Sequence, residues 1–170
     1  IKHALIEDKD LLSKLDNFDQ NIQKKGNITE LSNLIRTSTK IKANIVEQDE
    51  REKSVRAYLN FGHTFAHAIE SVQSFKGLNH GEAVGVGMVC AAKLSLLLGK
   101  INSQEFDKIK SLIKKFNLPI KLPANCEPAK ILKAMQSDKK SKDTTLRFII
   151  LDGIGKAKIV ENVDREKILN

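Results

Sequence analysis

The segment 80–99 restricts the fold of this chain more than any other part of the sequence. It is apolar over most of its length and predicts one long helix. Its small residues are Gly81, Ala83, Gly85, Gly87, Ala91 and Ala92. Because each interior glycine costs a helix roughly 1 kcal/mol relative to alanine, these residues indicate close packing against a neighbour. We therefore expect a tightly positioned helix, although close packing without any functional role explains the same pattern.

Helical signals recur along the rest of the chain. Further helices are predicted over 5–25 (as one or two), 27–48, 58–72 and 102–117, and from 128 and 164 onward. The apolar stripe of the 27–48 helix comprises Leu31, Leu34, Ile35, Ile41 and Ile45. Two apolar runs, 146–151 and 156–160, flank a Gly-containing turn and predict a β-hairpin. We expect a mainly α fold, a single multi-helix domain over 1–170 with one small β-hairpin near the C-terminus.

Composition excludes several classes of protein. No apolar run reaches the roughly 20 residues that cross a bilayer, so no membrane partner is expected. Cys90 and Cys126 share no metal-ligand spacing and are too few for a disulfide framework, which favours a reducing cytoplasm. The net charge of +8 is spread along the chain, and with no Trp and one Tyr a stacking platform is poorly supplied. No nucleic-acid partner is therefore expected.

Three of the four histidines lie within 63–80. His63 and His67 are four residues apart, so they share a face of the predicted 58–72 helix, and Asn60 and Glu70 extend that polar strip. His80 follows a glycine-bearing turn that lets its helix fold back toward the first. Imidazoles on facing helices hold divalent cations, usually with a carboxylate as third ligand. Histidines bonded to the backbone explain the i,i+4 pair equally well, and the small-residue helix after His80 favours the metal.

Charged residues precede this histidine segment. Asp49, Glu52 and Arg56 lie in a predicted loop, and Lys42 lies two helical turns before Asp49. Together they offer carboxylates for proton transfer or orientation, and cations for an anionic substrate. Each of them taken singly is also explained as a solvated surface charge.

These motifs resemble the signature of the 3-dehydroquinate synthases. The matching segments are 49–52, Arg56, 59–70 and 80–84, with 1–6, 138–140 and 146–149 similar as well. The match runs in order over nearly the whole chain. The sequence departs from the family at Ala66 and Ser54, where glycine is common, and both replacements are small.

The resemblance implies a lyase of the shikimate pathway, and so of aromatic amino acid biosynthesis. Such an enzyme depends on NAD and on Zn²⁺ (or Co²⁺). It converts 3-deoxy-D-arabino-heptulosonate 7-phosphate, a small-molecule sugar-acid phosphate, to 3-dehydroquinate with release of phosphate. The family tends to dimerise, so the resemblance also implies a homodimer.

The resemblance also implies roles for individual residues. His63 and His80 would be metal ligands, and the third ligand of the family, a glutamate, would lie just upstream of Ile1. His67 would transfer protons, and Glu52 would be its partner in acid–base work or in ordering the site. The substrate-binding residues would be Lys2, Lys42, Arg56, Asn60 and either Lys139 or Lys140.

No Gly-rich strand-to-helix turn of the dinucleotide-binding kind occurs in the sequence. In the family the NAD-binding domain precedes the helical domain. We therefore expect this chain to be the C-terminal part, with no NAD-binding residues of its own, and to be inactive alone.

Two other functions are compatible with the sequence. A related metal-dependent polyol or alcohol dehydrogenase, or another sugar-phosphate cyclase of the same fold, would keep the histidine site. An uncharged alcohol has no use for a set of cations, which favours a phosphorylated acid. The set comprises Lys2, Lys42, Arg56 and Lys139 or Lys140. A basic module that binds nucleic acid or protein would leave the histidines incidental, and it predicts steeply salt-dependent binding.

Overall fold

The computed structural model describes residues 1–19, 28–51, 54–142 and 146–169, without the side chains of 138–142. Its helices are α1 (Lys2–Glu7), α2 (Lys9–Asn17), α3 (Ile28–Gln48), a 3₁₀ helix (Val55–Asn60), α4 (His63–Val72), α5 (His80–Leu97), α6 (Ser103–Lys115), α7 (Pro128–Lys142) and α8 (Arg165–Leu169). Strands β1 (Arg147–Leu151) and β2 (Ala157–Glu161) pair antiparallel, with Ile149 opposite Ile159. The expected mainly α fold with one hairpin is confirmed.

Helix α5 lies at the centre of the fold. It packs against α4, α6, α8 and β1, and most of its side chains are buried. Such burial on all faces follows from its sequence, since a helix that is apolar all round has no face suited to water. Asn79 and Glu82 cap its N-terminus with a reciprocal capping box. Within the described part of the chain, no helix has both the length and the apolar character to cross a membrane.

The close packing predicted for the 80–99 segment is found between α5 and the start of α4. A Cβ atom on Gly87 would overlap the carbonyl oxygen of Gly62, and one on Gly62 would lie 2.7 Å from the amide nitrogen of Met88. The backbones of the two segments therefore touch, which fixes His63 relative to α5.

Two details of the predicted helices were wrong. The predicted 58–72 helix is divided, because Gly62 has φ +83°, a left-handed conformation that ends the 3₁₀ helix and starts α4 at His63. Asn60 therefore does not share a helical face with His63. Ile35 was expected on the apolar stripe of α3, but its side chain is 58% exposed while Leu34, Ile41 and Ile45 are buried.

Hydrogen bonds tie the hairpin to the helices that carry the histidines and lysines. The amide of Gly155 donates to the carbonyl of Leu5 at 2.8 Å. The amide of Leu151 donates to the buried Ser95 hydroxyl at 2.9 Å, and the Thr64 hydroxyl donates to the carbonyl of Arg147 at 3.1 Å. The hairpin thereby braces α1, α4 and α5 together.

Candidate active site

A cleft of about 500 Å³ opens where α1, α3 and the 3₁₀ helix meet the start of α4. We call it the cation cleft, and its lining residues are Ile1, Lys2, His3, Ser38, Lys42, Val46, Arg56, Leu59, Asn60 and His63. Four of the predicted substrate-binding residues, Lys2, Lys42, Arg56 and Asn60, are thus brought into one place from three different elements.

The electrostatics of the cation cleft favour an anion. Lys2, Lys42 and Arg56 contribute three cationic side chains, and none of the lining residues is an aspartate or glutamate. Burial, reinforced by the nearby charge of Lys42, lowers the pKa of Lys2 to about 8. A ligand with carboxylate or phosphate groups would offset this repulsion and bind with charge-assisted hydrogen bonds.

One hydrogen bond in the cation cleft was not predicted from the sequence. His3 Nδ1 and Ser38 Oγ are 2.7 Å apart and join α1 to α3. Burial and the positive charge of Lys2 lower the pKa of His3 to about 4, so the ring is neutral at pH 7. The residues are 35 positions apart, and no spacing rule connects them.

Asp49 anchors the loop that precedes the 3₁₀ helix. Its side chain is 8% exposed, and Oδ2 accepts hydrogen bonds from the amides of Ser54 at 2.6 Å and Arg56 at 3.1 Å. The Arg56 guanidinium donates to the carbonyl of Glu50 at 2.6 Å. Of the two roles considered for the acidic loop, orientation fits Asp49. Glu52 lies outside the described residues.

A second cleft of about 590 Å³ adjoins the cation cleft at His63. We call it the histidine cleft, and its lining includes Asn60, His63, Thr64, His67, Glu70, Phe75 and Met135. Asn60 and His63 line both clefts. Lys139 and Lys140 belong to α7, and their side chains lie outside the described part of the structure.

Three imidazoles meet between α4 and the start of α5. The ring centroids of His63 and His80 are 5.5 Å apart, those of His63 and His67 are 5.7 Å apart, and those of His67 and His80 are 6.2 Å apart. The clustering expected from the sequence is thus found. It arises because the turn between α4 and α5 brings the first residue of α5 back over α4.

Hydrogen bonds at Nδ1 define the tautomers of His63 and His80. His63 Nδ1 lies 3.3 Å from the carbonyl of Phe61, and His80 Nδ1 lies 3.0 Å from Oε1 of Glu70. Both partners can only accept, so each Nδ1 carries a proton, and in the neutral ring Nε2 then keeps its lone pair. Burial, with the charge of Lys2 added, lowers the pKa of His63 to about 4 and keeps that ring neutral.

The donor set fits two positions of a metal site. Imidazole nitrogens with free lone pairs suit Zn²⁺ or Co²⁺. Among the described residues, no three His, Cys, Asp or Glu side chains come together as a complete site. The described residues do not form a dinucleotide-binding fold, because their one sheet is the two-stranded antiparallel hairpin.

Comparison with known proteins agrees with this geometry. The model of the family described as "3-dehydroquinate synthase C-terminal" matches residues 1–141. The chain belongs to this family.

Curated 3-dehydroquinate synthases are similar to this chain in sequence. The 3-dehydroquinate synthase of Thermodesulfovibrio yellowstonii is 40% identical over 173 residues, covering 100% of this chain and 48% of its own length. That of Nitrosomonas europaea is 45% identical over 157 residues, covering 92% of this chain and 42% of its own. The chain spans about half the length of the curated relatives it matches.

Solved structures share the fold of this 3-dehydroquinate synthase C-terminal chain. A 2-epi-5-epi-valiolone synthase from Streptomyces hygroscopicus, with NAD⁺ and Zn²⁺ bound, superposes with a TM-score of 0.85 at 23% identity, covering 98% of this chain and 46% of its own. A 2-deoxy-scyllo-inosose synthase, complexed with carbaglucose-6-phosphate, NAD⁺ and Co²⁺, gives 0.77 at 25% identity and covers 99% and 47%.

Proposed function

We propose that this chain is the metal- and substrate-binding part of a 3-dehydroquinate synthase. The complete enzyme converts 3-deoxy-D-arabino-heptulosonate 7-phosphate to 3-dehydroquinate and releases phosphate. The observation that carries the proposal is that the two clefts adjoin, since Asn60 and His63 line both. A substrate with an anionic end and reacting hydroxyl groups can therefore lie in the cation cleft and present those hydroxyls to the histidines.

The cations hold the substrate. Lys2 and Lys42 approach from α1 and α3, and Arg56 approaches from the 3₁₀ helix. Three cationic side chains in one cleft suit a ligand with both a carboxylate and a phosphate. Asn60 has an amide that can bond a hydroxyl, and Lys139 or Lys140 adds a further cation.

His63 and His80 hold the metal ion through their Nε2 atoms. When bound, the cation supplies polarisation of a substrate oxygen. Zinc and cobalt both suit this donor set, and the two solved relatives contain one or the other. The third ligand is a carboxylate from outside this chain.

His67 transfers protons. It lies one turn after His63 on α4 and lines the histidine cleft, so its imidazole reaches the space where the hydroxyls would lie. An imidazole takes and returns protons near neutral pH. Glu52 serves as its partner in acid–base work or in ordering the site.

NAD is held outside this chain. The solved 2-deoxy-scyllo-inosose synthase carries NAD⁺, and this chain covers 47% of it. We therefore propose a separate N-terminal NAD-binding domain in the complete enzyme and assign no residue of 1–170 to the dinucleotide.

The test is phosphate release by the full-length gene product that contains this chain, supplied with NAD and Zn²⁺. We expect release that requires both cofactors and falls about 100-fold or more in His67→Ala, the scale of general acid–base catalysis. Val72→Ala, also on α4 but lining neither cleft, is the control and keeps full activity. Oxidation of glycerol without phosphate release would replace the proposal with a dehydrogenase.

A different sugar-phosphate cyclase is the second candidate. The solved relative bound to carbaglucose-6-phosphate shares the fold at 25% identity. The relatives at 40–45% identity are 3-dehydroquinate synthases, which favours the first candidate. Turnover of the heptulosonate phosphate against glucose 6-phosphate distinguishes the two.

A further inference from the structure

Glu70 occupies an unusual position for a helix carboxylate. It lies on α4, one turn after His67, and its side chain is 11% exposed. The side chain of its partner His80 is 59% exposed, so the carboxylate is the more buried member of the pair. A buried carboxylate is costly unless it accepts hydrogen bonds. His80 Nδ1, at 3.0 Å from Oε1, provides one.

This contact joins the two helices that carry the histidines. Glu70 comes near the end of α4, and His80 is the first residue of α5, ten positions later. Asn79 caps α5 through its own side chain, and Glu82 completes that capping box. Glu70 is therefore not needed as a cap, and its contact is with the imidazole itself.

We infer that Glu70 is a positioning residue, which fixes His80 in the Nδ1–H tautomer and aims its Nε2 lone pair at the metal site. A carboxylate can only accept a hydrogen bond, so this geometry requires the proton on Nδ1. Without the partner, the ring of a half-exposed histidine is free to rotate and to exchange tautomers. The inference rests on the metal ligands of the proposed function.

His63 has a different orienting partner. Its Nδ1 faces the carbonyl of Phe61 at 3.3 Å, a backbone group that substitution of a side chain does not remove. Loss of Glu70 therefore affects one metal ligand and leaves the other in place. Partners of this kind typically account for a 10–100-fold difference in metal affinity.

The experiment compares Glu70→Leu and Glu70→Gln with wild type in the full-length gene product. Nitrogen-15 NMR of labelled histidine, in the metal-free protein at pH 8, reports the tautomer of His80, with its signals assigned by His80→Gln. Calorimetric titration with Co²⁺ reports metal affinity. Glu127→Leu is the control, since it removes an exposed carboxylate that lines neither cleft.

We expect wild type to show the Nδ1–H tautomer and Glu70→Leu to lose it, with Co²⁺ affinity about 10–100-fold weaker. Glu70→Gln should keep the tautomer, because an amide oxygen also accepts, and should bind Co²⁺ with intermediate affinity. That rescue separates positioning from a general loss of folding.

Two outcomes would count against these assignments. An unchanged His80 tautomer and unchanged Co²⁺ affinity in Glu70→Leu would overturn the positioning role and leave the proposed function intact. If the tautomer followed Glu70 while wild type bound no Co²⁺, the role in fixing the ring would hold, and the metal ligands of the proposed function would be overturned.

Discussion

Asp49 is a buried carboxylate that binds the backbone at the start of the 3₁₀ helix. It accepts hydrogen bonds from the amides of Ser54 and Arg56 and so determines where the 3₁₀ helix and its arginine begin. We expect Asp49→Ala to lower the free energy of unfolding by about 1–3 kcal/mol, since both amides lose their acceptor. Urea denaturation measures this. Glu50→Ala, an exposed neighbour whose carbonyl rather than side chain binds Arg56, should change stability little, and equal losses would contradict the anchoring role.

Lys2 predicts a pH dependence for anion binding. Its pKa is lowered to about 8 by burial and by Lys42, so the side chain loses its charge as the pH rises through 8. Sulfate keeps a constant charge over this range and binds the protonated form. We expect sulfate affinity to fall roughly fivefold between pH 7 and 9.5, about 1 kcal/mol for one partly exposed ion pair.

The matched variants for this titration are Lys2→Met and Lys100→Met. Lys2→Met should bind sulfate more weakly at pH 7 and show little dependence on pH. Lys100 pairs with Asp152 and lies outside the cation cleft, so its variant should keep the wild-type curve. A full pH dependence in Lys2→Met would assign the titration to another group.

For individual residues, the sequence predicted which side chains lie in the same cleft. It did not predict the hydrogen-bond partner of each side chain. Lys2, Lys42, Arg56 and Asn60 share a cleft as expected, because the family resemblance relates positions far apart in the chain. The pairing of His3 with Ser38 was missed. It depends on how α1 lies against α3, and neither periodicity nor spacing encodes that angle.

Among the elements, the contact between α4 and α5 depends on two glycines. A Cβ on Gly87 would overlap the Gly62 carbonyl and lie 3.1 Å from the amide of Ala66. We expect Gly87→Ala to destabilise the chain by about 1–3 kcal/mol, because backbone atoms cannot move aside cheaply. Thermal or urea unfolding measures the change.

Gly81→Ala is the control on the same helix. Its Cβ would have Asn79 Oδ1 as nearest neighbour at 3.5 Å, an ordinary contact. Stability should stay within about 1 kcal/mol of wild type or increase, since alanine favours the helix. Equal destabilisation by the two substitutions would show that the cost is not the contact with Gly62.

Helix boundaries illustrate the limit of periodicity. The small-residue pattern predicted a closely packed α5 without identifying its partner, which is the turn at Gly62. The same glycine made the predicted 58–72 helix too long. The break depends on the left-handed conformation of Gly62, which the spacing of apolar residues does not reveal.

For the molecule as a whole, the described residues provide a cleft with three cationic side chains and a cluster of three imidazoles, and their one sheet is the two-stranded hairpin. We expect this chain by itself to bind NAD weakly and to release no phosphate from the heptulosonate phosphate. The full-length gene product should bind NAD tightly and release phosphate. NADH fluorescence titration and a phosphate assay measure this, with circular dichroism to show that the shorter chain is folded.

In the full-length protein a chelator should abolish phosphate release, and added Zn²⁺ or Co²⁺ should restore it. Turnover by the chain alone would show that these residues bind the dinucleotide and supply the third metal ligand. It would overturn the proposal that both come from outside this chain.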